Sequence, residues 1–212
     1  MDDVAVRVRA VSSVGADTVA MTFEAPPDFD AAPGQFIQVS ARIDDDLVQR
    51  YFTISSPGVE GTFEITVGVD PDGSLTPWLA DREPGDTVRM SGPYGGAYYE
   101  GESSVVVLAA GPGIGPAVGI GERALELGNR VAIVVPPDTE THRERLRRLS
   151  ADGAFVIDSG EGLQMATADA LDHVDGTIFV YGFAPFVSDA VEAIEAAGRD
   201  PDEAKVESFG PG

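Results

Sequence analysis

An arginine, two aromatic residues and a threonine stand together in the segment Arg50-Tyr51-Phe52-Thr53. A guanidinium can form paired hydrogen bonds to a pyrophosphate, the ring of Phe52 can pack against a flat ligand, and the Thr53 hydroxyl can form a further hydrogen bond. Side chains alternate between the faces of a strand, so we expect Arg50 and Phe52 on one face and Thr53 on the other. An ordinary strand with one exposed arginine is the alternative interpretation.

A second segment, Gly73-Ser74-Leu75-Thr76, has the composition of a helix start that receives an anion. The free N–H groups and the positive dipole end of a helix favour negative charge, and the Thr76 hydroxyl adds a donor. Ser74 or Thr76 could equally act as an ordinary helix cap. The segment therefore predicts either a phosphate-binding helix start or a capped helix without a ligand.

Glycines follow an apolar run in the segment AGPGIGP (110–116). Gly111 and Gly113 allow a ligand to approach the backbone closely, and Pro116 suits the first turn of a helix. Pro116 also replaces the third glycine of the dinucleotide-binding pattern GxGxxG, so the pattern is incomplete. The segment by itself indicates a nucleotide loop only weakly.

The elements that would position these segments fall into two halves. In the first hundred residues, short alternating runs separated by turn residues predict six strands. These strands are 4–10, 17–24, 34–41, 49–55, 62–70 and 86–91, with a short helix within 74–81. Six strands at this spacing predict a small closed antiparallel barrel of the Greek-key type.

From about residue 104, continuous apolar strands alternate with helical stretches. The predicted strands are 105–110, 131–135, 155–158, 177–182 and one near 204–209, and the helices are 115–127, 141–150, one near 165–173 and 185–197. Such apolar strands are covered on both faces, as in a parallel sheet. The alternation predicts a doubly wound α/β domain. With a boundary near 100–103, we predict a barrel domain over 1–100 and a nucleotide-binding domain over 101–212.

The composition limits the classes of function. The 212 residues include 36 acidic and 14 basic side chains, for a formal net charge of −22, and Lys205 is the only lysine. Nucleic-acid binding is therefore not expected, because phosphate affinity needs clustered positive charge. The acidic surface favours a salt-adapted, halophilic protein, since concentrated salt screens the repulsion among like charges. A merely acidic protein is the alternative.

Cysteine is absent, which excludes disulfides, a cysteine-ligated metal centre and a cysteine nucleophile. Two histidines leave little room for a histidine-based site, so we expect no metal. Neither a membrane-spanning run nor a secretory signal is predicted, and we expect a cytoplasmic protein.

Taken in chain order, four segments resemble those of the ferredoxin–NADP reductase superfamily of flavin enzymes. RYFT is similar to the family's Arg-x-aromatic-Ser/Thr, and GSLTPWL to its Gly-x-x-Ser/Thr-x-x-Leu. PGD (84–86) with GPYG (92–95) and the loop at 110–116 match the family's remaining segments, so the resemblance covers essentially the whole chain. It implies FAD on the barrel, with its ring at the domain junction, and NADH or NADPH on the α/β domain.

The resemblance also implies which residues contact the cofactors. Arg50 and Thr76 would bind the flavin pyrophosphate, and Thr53 with its aromatic neighbour would frame the flavin ring. Two valines would offer backbone groups to the flavin, and the glycine loop would make room for the nicotinamide nucleotide. The complete implied set is Arg50, Phe52, Thr53, Val67, Val69, Gly73, Thr76, Gly111, Gly113, Ile114 and Gly182.

Near the C-terminus, Tyr181 replaces the cysteine of the family's Cys-Gly-x-x-Pro segment. In the family that thiol lies close to the nicotinamide, so its replacement bears on hydride transfer. Phe209 is expected to cover the flavin face and to yield to the nicotinamide, although a plain hydrophobic strand residue is the alternative. Thr53, Tyr181 and Phe209 are the candidates for catalytic residues.

The choice between NADH and NADPH stays open. Asp138 follows the second α/β strand and could accept a hydrogen bond from a ribose hydroxyl, which favours NADH. The arginine cluster Arg143–Arg148 could instead bind the 2′-phosphate of NADPH through Arg143 or Arg147. The cluster could also dock an acidic electron carrier such as ferredoxin, or form a solvated helix face paired with neighbouring glutamates.

The sequence therefore predicts an NAD(P)H-dependent flavin oxidoreductase. It would pass a hydride from the nicotinamide to FAD and electrons onward to a separate acceptor such as ferredoxin. The alternative is a non-catalytic flavin- or nucleotide-binding module, such as a regulatory or electron-transfer subunit of a larger complex. Tyr181 and the incomplete glycine pattern favour that alternative, and the intact RYFT and GSLT segments count against it.

Overall fold

The computed structural model of the protein describes residues 1–210. Its first part is a six-stranded antiparallel sheet with the strand order β4-β3-β6-β1-β2-β5. An isolated antiparallel bridge between Ile54 and Ile65 brings the two edge strands together. The strands are β1 (Val4–Gly15), β2 (Thr18–Glu24), β3 (Phe36–Ile43), β4 (Asp46–Thr53), β5 (Thr62–Gly68) and β6 (Thr87–Tyr94), and a short helix α1 (Leu75–Ala80) follows β5. The predicted antiparallel barrel is confirmed.

Alternation along the strands builds the barrel core. In β1, Val6 and Val8 are buried while Arg7 and Arg9 are exposed, as a period of two requires. Strand β1 is longer than predicted because its first residues pair with β6 and its later ones, through Gly15, pair with β2. Pairing with two strands in succession stabilises a segment whose polar residues alone do not predict a strand.

The second part is a parallel sheet of five strands in the order β11-β10-β7-β8-β9. The strands are β7 (Ser104–Ala109), β8 (Arg130–Val135), β9 (Phe155–Asp158), β10 (Thr177–Gly182) and β11 (Lys205–Ser208), and the helices are α2 (Ile114–Glu126), α3 (Arg143–Ala151), α4 (Leu163–His173) and α5 (Ala184–Ala196). Short 3₁₀ turns occur at 111–113 and 201–203. The predicted doubly wound α/β fold is confirmed.

Two hydrophobic layers cover this sheet. Val105 and Val107 of β7 pack with residues of α2, whereas Val106 and Leu108 pack with residues of α4 and α5. Burial on both faces explains why these strands are continuous apolar runs. The chain moves from β7 outward to β9 and then returns to place β10 on the other side of β7. This reversal creates a crevice beyond the carboxyl ends of β7 and β10, where open α/β sheets bind ligands.

The two sheets pack against each other through the outward face of β5 and the start of α2. Phe63, Ile65 and Val67 point into the barrel core, so the alternate residues of β5 face the α/β part. A methyl group added at Gly115 of α2 would overlap the side chain of Thr66. The close approach of β5 and α2 therefore depends on a glycine at this position. Across residues 1–210, every helix is too short or too polar to span a bilayer.

Candidate functional site

A cleft of about 220 Å³ opens between the barrel and the parallel sheet. The barrel wall comes from β4, β5 and the start of α1, and the opposite wall from residues just beyond β7, β10 and β11. The lining residues are Arg50, Tyr51, Phe52, Thr53, Thr66, Gly68, Asp70, Gly73, Ser74, Leu75, Thr76, Pro112, Phe183 and Phe209. The cleft thus joins the predicted phosphate-binding segments to the crevice of the parallel sheet.

Among residues 1–210, Arg50 is the one cationic side chain that lines this cleft. It is exposed, and its guanidinium donates to the backbone carbonyl of Gln49 at 2.8 Å. No carboxylate of residues 1–210 lies within ion-pair distance of it. A guanidinium that is not neutralised in an acidic chain is suited to bind a phosphate.

The aromatic surface of the cleft differs from the prediction. Phe52 lies opposite Ile37 in the β3–β4 ladder and packs in the barrel core, where it is only 9% exposed. Tyr51 points to the other face and is 62% exposed, with its ring edge-on to Phe36 at 5.4 Å. A flat ligand would therefore meet Tyr51 more fully than Phe52. Strand alternation could have indicated this, because an inward Phe52 requires an outward Tyr51.

Two hydroxyl groups lie on the barrel wall. Thr53 is nearly buried and its hydroxyl forms no hydrogen bond within residues 1–210, which leaves it available to a ligand. Thr66 of β5 lies in the same wall, and its hydroxyl is 2.8 Å from Nε2 of His142. Sequence reasoning missed Thr66, because its partner is 76 residues away in the chain.

The loop before α1 is closed by its own hydrogen bonds. The backbone N–H of Asp70 donates to the Thr76 hydroxyl at 3.0 Å, and the N–H of Gly73 donates to the Asp70 carbonyl at 3.1 Å. Thr76 and Gly73 thus line the cleft, but the Thr76 hydroxyl already accepts a hydrogen bond within the loop. Ser74 occupies the N-cap position without a side-chain cap bond, so its hydroxyl is the freer of the two.

Val67 and Val69 do not line the cleft. The side chain of Val67 is fully buried in the barrel core, and the N–H of Val69 donates to the Asp17 carbonyl at 2.8 Å. The cleft instead receives Thr66 and Gly68, the residues of β5 that point outward. The backbone contacts of Val67 and Val69 with the flavin stay a prediction, and the β5 residues that line the cleft are their neighbours Thr66 and Gly68.

The glycine loop reaches the cleft through a single residue, Pro112, among residues 1–210. A methyl group on Gly113 would overlap the carbonyl of Tyr181, so this glycine lets the loop pack against β10. Ile114 is buried in the α/β core, and Gly111, at φ 57°, is exposed at the crevice. Pro112 between them is the loop residue that lines the cleft. The glycines fix the course of the loop rather than forming the cleft wall.

Tyr181 lies outside the cleft. It is fully buried, and its hydroxyl donates to the carbonyl of Ala97 in the connection between the two sheets. Burial, together with the carboxylates of Glu207 and Glu102, raises the pKa of this phenol well above its ordinary value. Tyr181 therefore remains neutral, and its position is that of a packing residue between the two halves. Its neighbour Gly182 is also buried, with its carbonyl bound by the backbone of Phe209.

Two phenylalanines form the apolar wall opposite Arg50. Phe209 is half-buried and lines the cleft. Phe183, which the sequence did not single out, is 38% exposed and lies perpendicular to Phe209 at 6.1 Å. The N–H of Phe209 donates to the Gly182 carbonyl and that of Ala184 to the Gly210 carbonyl, both at 2.9 Å. These bonds hold the last described residues against β10.

The arginine cluster does not form one exposed patch. The Arg145 side chain is 19% exposed and donates to Glu122 at 2.7 and 2.8 Å, to Glu64 at 2.9 Å and to the Ser55 carbonyl at 2.7 Å. Burial opposes its charge, but the two glutamates raise its pKa. Arg143 donates to the carbonyl of a neighbouring loop residue. Arg145 is thus a contact between the two halves and is not available to a 2′-phosphate or a carrier protein, whereas Arg143, Arg147 and Arg148 are exposed.

Comparison with known proteins agrees with this architecture. Residues 5–99 match the model of the oxidoreductase FAD-binding domain family. The glycine betaine monooxygenase reductase subunit of Pseudomonas aeruginosa is 29% identical over 205 residues, which covers 84% of this chain and 56% of that protein. A probable dihydroorotate dehydrogenase B (NAD(+)) electron transfer subunit of Methanopyrus kandleri is 31% identical over 147 residues, 67% of this chain and 53% of that protein. The chain thus spans about half the length of these curated relatives.

Solved structures share the fold over the whole chain. A ferredoxin NADP+ reductase from Neisseria gonorrhoeae, with bound FAD and NADP, has a TM-score of 0.78 at 15% identity and covers 99% of both chains. The flavohem-like FAD/NAD binding domain of nitric oxide dioxygenase from Vibrio cholerae has a TM-score of 0.79 at 20% identity, with full coverage of both chains. The likeness extends to the packing of a barrel against a parallel sheet.

Proposed function

We propose that the chain, as a member of the ferredoxin–NADP reductase superfamily, binds FAD in the cleft and carries electrons from a nicotinamide nucleotide to a separate acceptor. The single observation that carries this proposal is the cleft itself. It joins the one cationic side chain of the barrel wall, Arg50, to the crevice at the carboxyl ends of β7 and β10. A ligand with a phosphate and a flat ring fits the barrel wall of the cleft, and a separate nucleotide fits the crevice of the parallel sheet.

The residues of the barrel wall fit FAD. Arg50, exposed and without a carboxylate partner, would bind the pyrophosphate, and the loop ending in Ser74 and Thr76 would flank it. Tyr51 would pack against a flat part of the cofactor, and the Thr53 hydroxyl would form a hydrogen bond at the ring. Bound FAD supplies the redox chemistry, since a flavin accepts a hydride and passes its electrons on.

The chain's own contribution is to hold two cofactors together and to exclude water. Phe183 and Phe209 provide apolar surface opposite Arg50, at the mouth of the crevice. A nicotinamide that entered from the crevice would replace part of this aromatic cover. This replacement is needed because the reacting atoms of the nicotinamide and the flavin must approach to roughly 3–3.5 Å. Without a bound nicotinamide, the rings of Phe183 and Phe209 would shield the cleft from solvent.

We infer that NADH is preferred over NADPH. The carboxyl ends of β8 and β9 carry the acidic residues Asp138, Asp158 and Glu161. Arg143, the nearest arginine in the chain, lies 3.9 Å from the carboxylate of Glu140. A 2′-phosphate would therefore meet local negative charge, whereas a ribose hydroxyl could donate to a carboxylate.

The acceptor is proposed to be a separate oxygenase component or a ferredoxin. The relatives named as reductase components of glycine betaine monooxygenase and of 3-ketosteroid-9-alpha-monooxygenase support this class of partner. Docking at the arginine cluster Arg143–Arg148 is not part of the proposal, because Arg145 binds two glutamates inside the chain.

The decisive experiment is an anaerobic titration of the protein purified in high salt. The purified protein is expected to be yellow, or to become so with added FAD, and NADH should bleach its visible band faster than NADPH does. A protein that binds FAD but is bleached by neither nucleotide would be a non-catalytic flavin module. A colourless protein that does not bind added FAD would contradict the whole proposal.

A further inference from the structure

His142 is a buried histidine that the proposed function does not use. Its side chain is 4% exposed, and its Nε2 lies 2.8 Å from the Thr66 hydroxyl oxygen of β5. Its backbone N–H donates to the carbonyl of Val14 in β1, also at 2.8 Å. One residue of the α/β part is therefore bound to two strands of the barrel.

The backbone of His142 lies in the left-handed region, with φ 51° and ψ 28°. A residue other than glycine rarely adopts this conformation, which persists only when its surroundings hold it. The loop 136–142 ends here and α3 begins, and the His142 carbonyl accepts a hydrogen bond from Leu146 at 3.0 Å. The junction between loop and helix is thus held by the barrel.

Thr66, the partner of His142, lines the cleft and packs against Gly115 at the start of α2. Arg145, one turn further along α3, donates to the carbonyl of Ser55 at 2.7 Å. Ser55 follows Thr53 of the cleft wall by two residues. The first turn of α3 therefore contacts both barrel segments that form this wall.

The charged groups around His142 explain why its contact with Thr66 is a neutral hydrogen bond. Arg145 of α3 lies nearby and is itself bound to Glu64 of β5 and Glu122 of α2. Burial, and then the charge of Arg145, lowers the pKa of His142 to about 3. Because the imidazole is uncharged near neutral pH, salt screening does not weaken this hydrogen bond as it weakens an ion pair.

We propose that His142 is a positioning residue, whose bonds to β1 and β5 hold the loop 136–142 at a fixed distance from the cleft wall that carries Thr66. This inference rests on the proposed function, in which the adenosine part of a nicotinamide nucleotide lies along that loop and FAD lies in the cleft. The nucleotide then meets a preformed loop and does not lose affinity by ordering it.

NAD+ binding to the FAD-loaded protein, measured by isothermal titration calorimetry, tests the proposal. Asparagine tolerates the left-handed conformation but is too short to reach Thr66, so His142→Asn removes one hydrogen bond. Thr66→Val removes the same bond from the other side, and Thr66→Ser retains the hydroxyl. We expect NAD+ to bind about three- to tenfold more weakly to His142→Asn and to Thr66→Val, but normally to Thr66→Ser. The double variant should bind no more weakly than either single variant.

Lys205→Met is the matched control for a general loosening of the interface. Lys205 of β11 donates to the carbonyl of Tyr98 at 2.9 Å and to Glu100 at 2.8 Å, and does not contact the loop 136–142. Its NAD+ affinity should stay at the wild-type level. Equal losses in Lys205→Met and His142→Asn would overturn the proposal, and so would wild-type affinity in both His142→Asn and Thr66→Val.

Hydrogen–deuterium exchange of the purified protein separates this inference from the proposed function, because it needs no ligand. His142→Asn should speed amide exchange in residues 136–146, whereas Lys205→Met should not. Unchanged exchange in His142→Asn would overturn the positioning role even in a protein that binds FAD. If the wild-type protein binds no FAD, the proposed function fails, while faster exchange in His142→Asn would still support the link between loop and barrel.

Discussion

At the scale of single residues, the cleft is distinguished by the guanidinium of Arg50, which forms no ion pair with a carboxylate of residues 1–210. The chain carries 36 acidic side chains, and Arg145 and Arg89 are both bound to carboxylates. Arg50 instead lines the cleft with only a backbone carbonyl as its hydrogen-bond acceptor. In such an acidic chain, an arginine without a carboxylate partner, at the wall of a cleft, is a good candidate for binding an anionic ligand.

Replacement of Arg50 tests its role directly. Arg50→Ala should weaken FAD binding by about ten- to a hundredfold, since a charge-assisted hydrogen bond contributes about 1.5–3 kcal/mol. Equilibrium dialysis of the apoprotein with FAD measures the dissociation constant. Arg147→Ala, which changes another exposed arginine outside the cleft, should bind FAD normally. Equal affinity in Arg50→Ala and the parent protein would remove Arg50 from the site.

His142 makes stability depend on pH. Its pKa of about 3 in the folded protein lies below the ordinary value of 6.5, so between these values the unfolded chain binds more protons. The contribution of the neutral imidazole is therefore complete above pH 6.5 and is lost as the pH falls toward 3. We expect the free energy of unfolding of wild type relative to His142→Asn to fall by up to about 1.4 kcal/mol per pH unit over this range.

Urea unfolding at several pH values between 4 and 7 measures this difference. The carboxylates common to both proteins affect each of them alike, so the comparison isolates His142. His173→Asn, which changes the second histidine at an exposed position, is the control. A difference between wild type and His142→Asn that does not vary with pH would contradict a neutral, buried imidazole.

At the scale of elements, the cleft depends on how closely α2 and α3 approach the barrel. Glycine at position 115 allows α2 to pack against Thr66, and Arg145 of α3 joins Glu122 to Glu64 and Ser55. Neither contact involves residues near each other in sequence. The two sheets therefore act as one frame for two ligands, as transfer between cofactors requires.

The Arg145 contact should contribute strongly to stability. Arg145→Met leaves two partly buried glutamates without their cation, and we expect the free energy of unfolding to fall by about 3 kcal/mol. Arg143→Met on the same helix removes an exposed ion pair with Glu140 and an exposed hydrogen bond to the Thr139 carbonyl, and we expect a loss of at most about 1 kcal/mol. Chemical unfolding of both variants measures the two losses. Equal, small losses would show that Arg145 is not a structural link between the two halves.

At the scale of the whole molecule, the net charge of −22 sets how the protein responds to salt. Like charges on the surface repel each other and also repel anionic nucleotides, and both effects are screened as the ionic strength rises. The same charge therefore bears on folding and on ligand binding. We propose that the protein is adapted to salt for this reason.

Thermal unfolding across a series of NaCl concentrations tests this adaptation. The melting temperature should rise with salt, mostly below about 1 M, where the Debye length has fallen to about 3 Å. NADH affinity should rise over the same range, opposite to the usual effect of salt on an anionic ligand. A melting temperature that is constant or falls with added salt would contradict the proposal.

The sequence by itself determined the order and type of nearly every element. Strand alternation, continuous apolar runs and turn residues are local signals, so they predicted both sheets, while the resemblance of the motifs indicated Arg50, Thr53 and Phe209, which line the cleft. The resemblance of the motifs added the expected cofactors. Local periodicity is sufficient to predict these elements, because the buried residues of a strand or helix recur with the period of that element.

Only the tertiary structure decided which residues meet across the chain. It paired Thr66 of the cleft wall with His142, turned Arg145 inward to the barrel and placed Tyr181 in the packed interface. Each of these depends on a partner at least 70 residues away, whose position follows from the packing of one sheet on the other. The spacing of residues in the sequence does not predict such contacts, because they form only when both halves have folded and packed against each other.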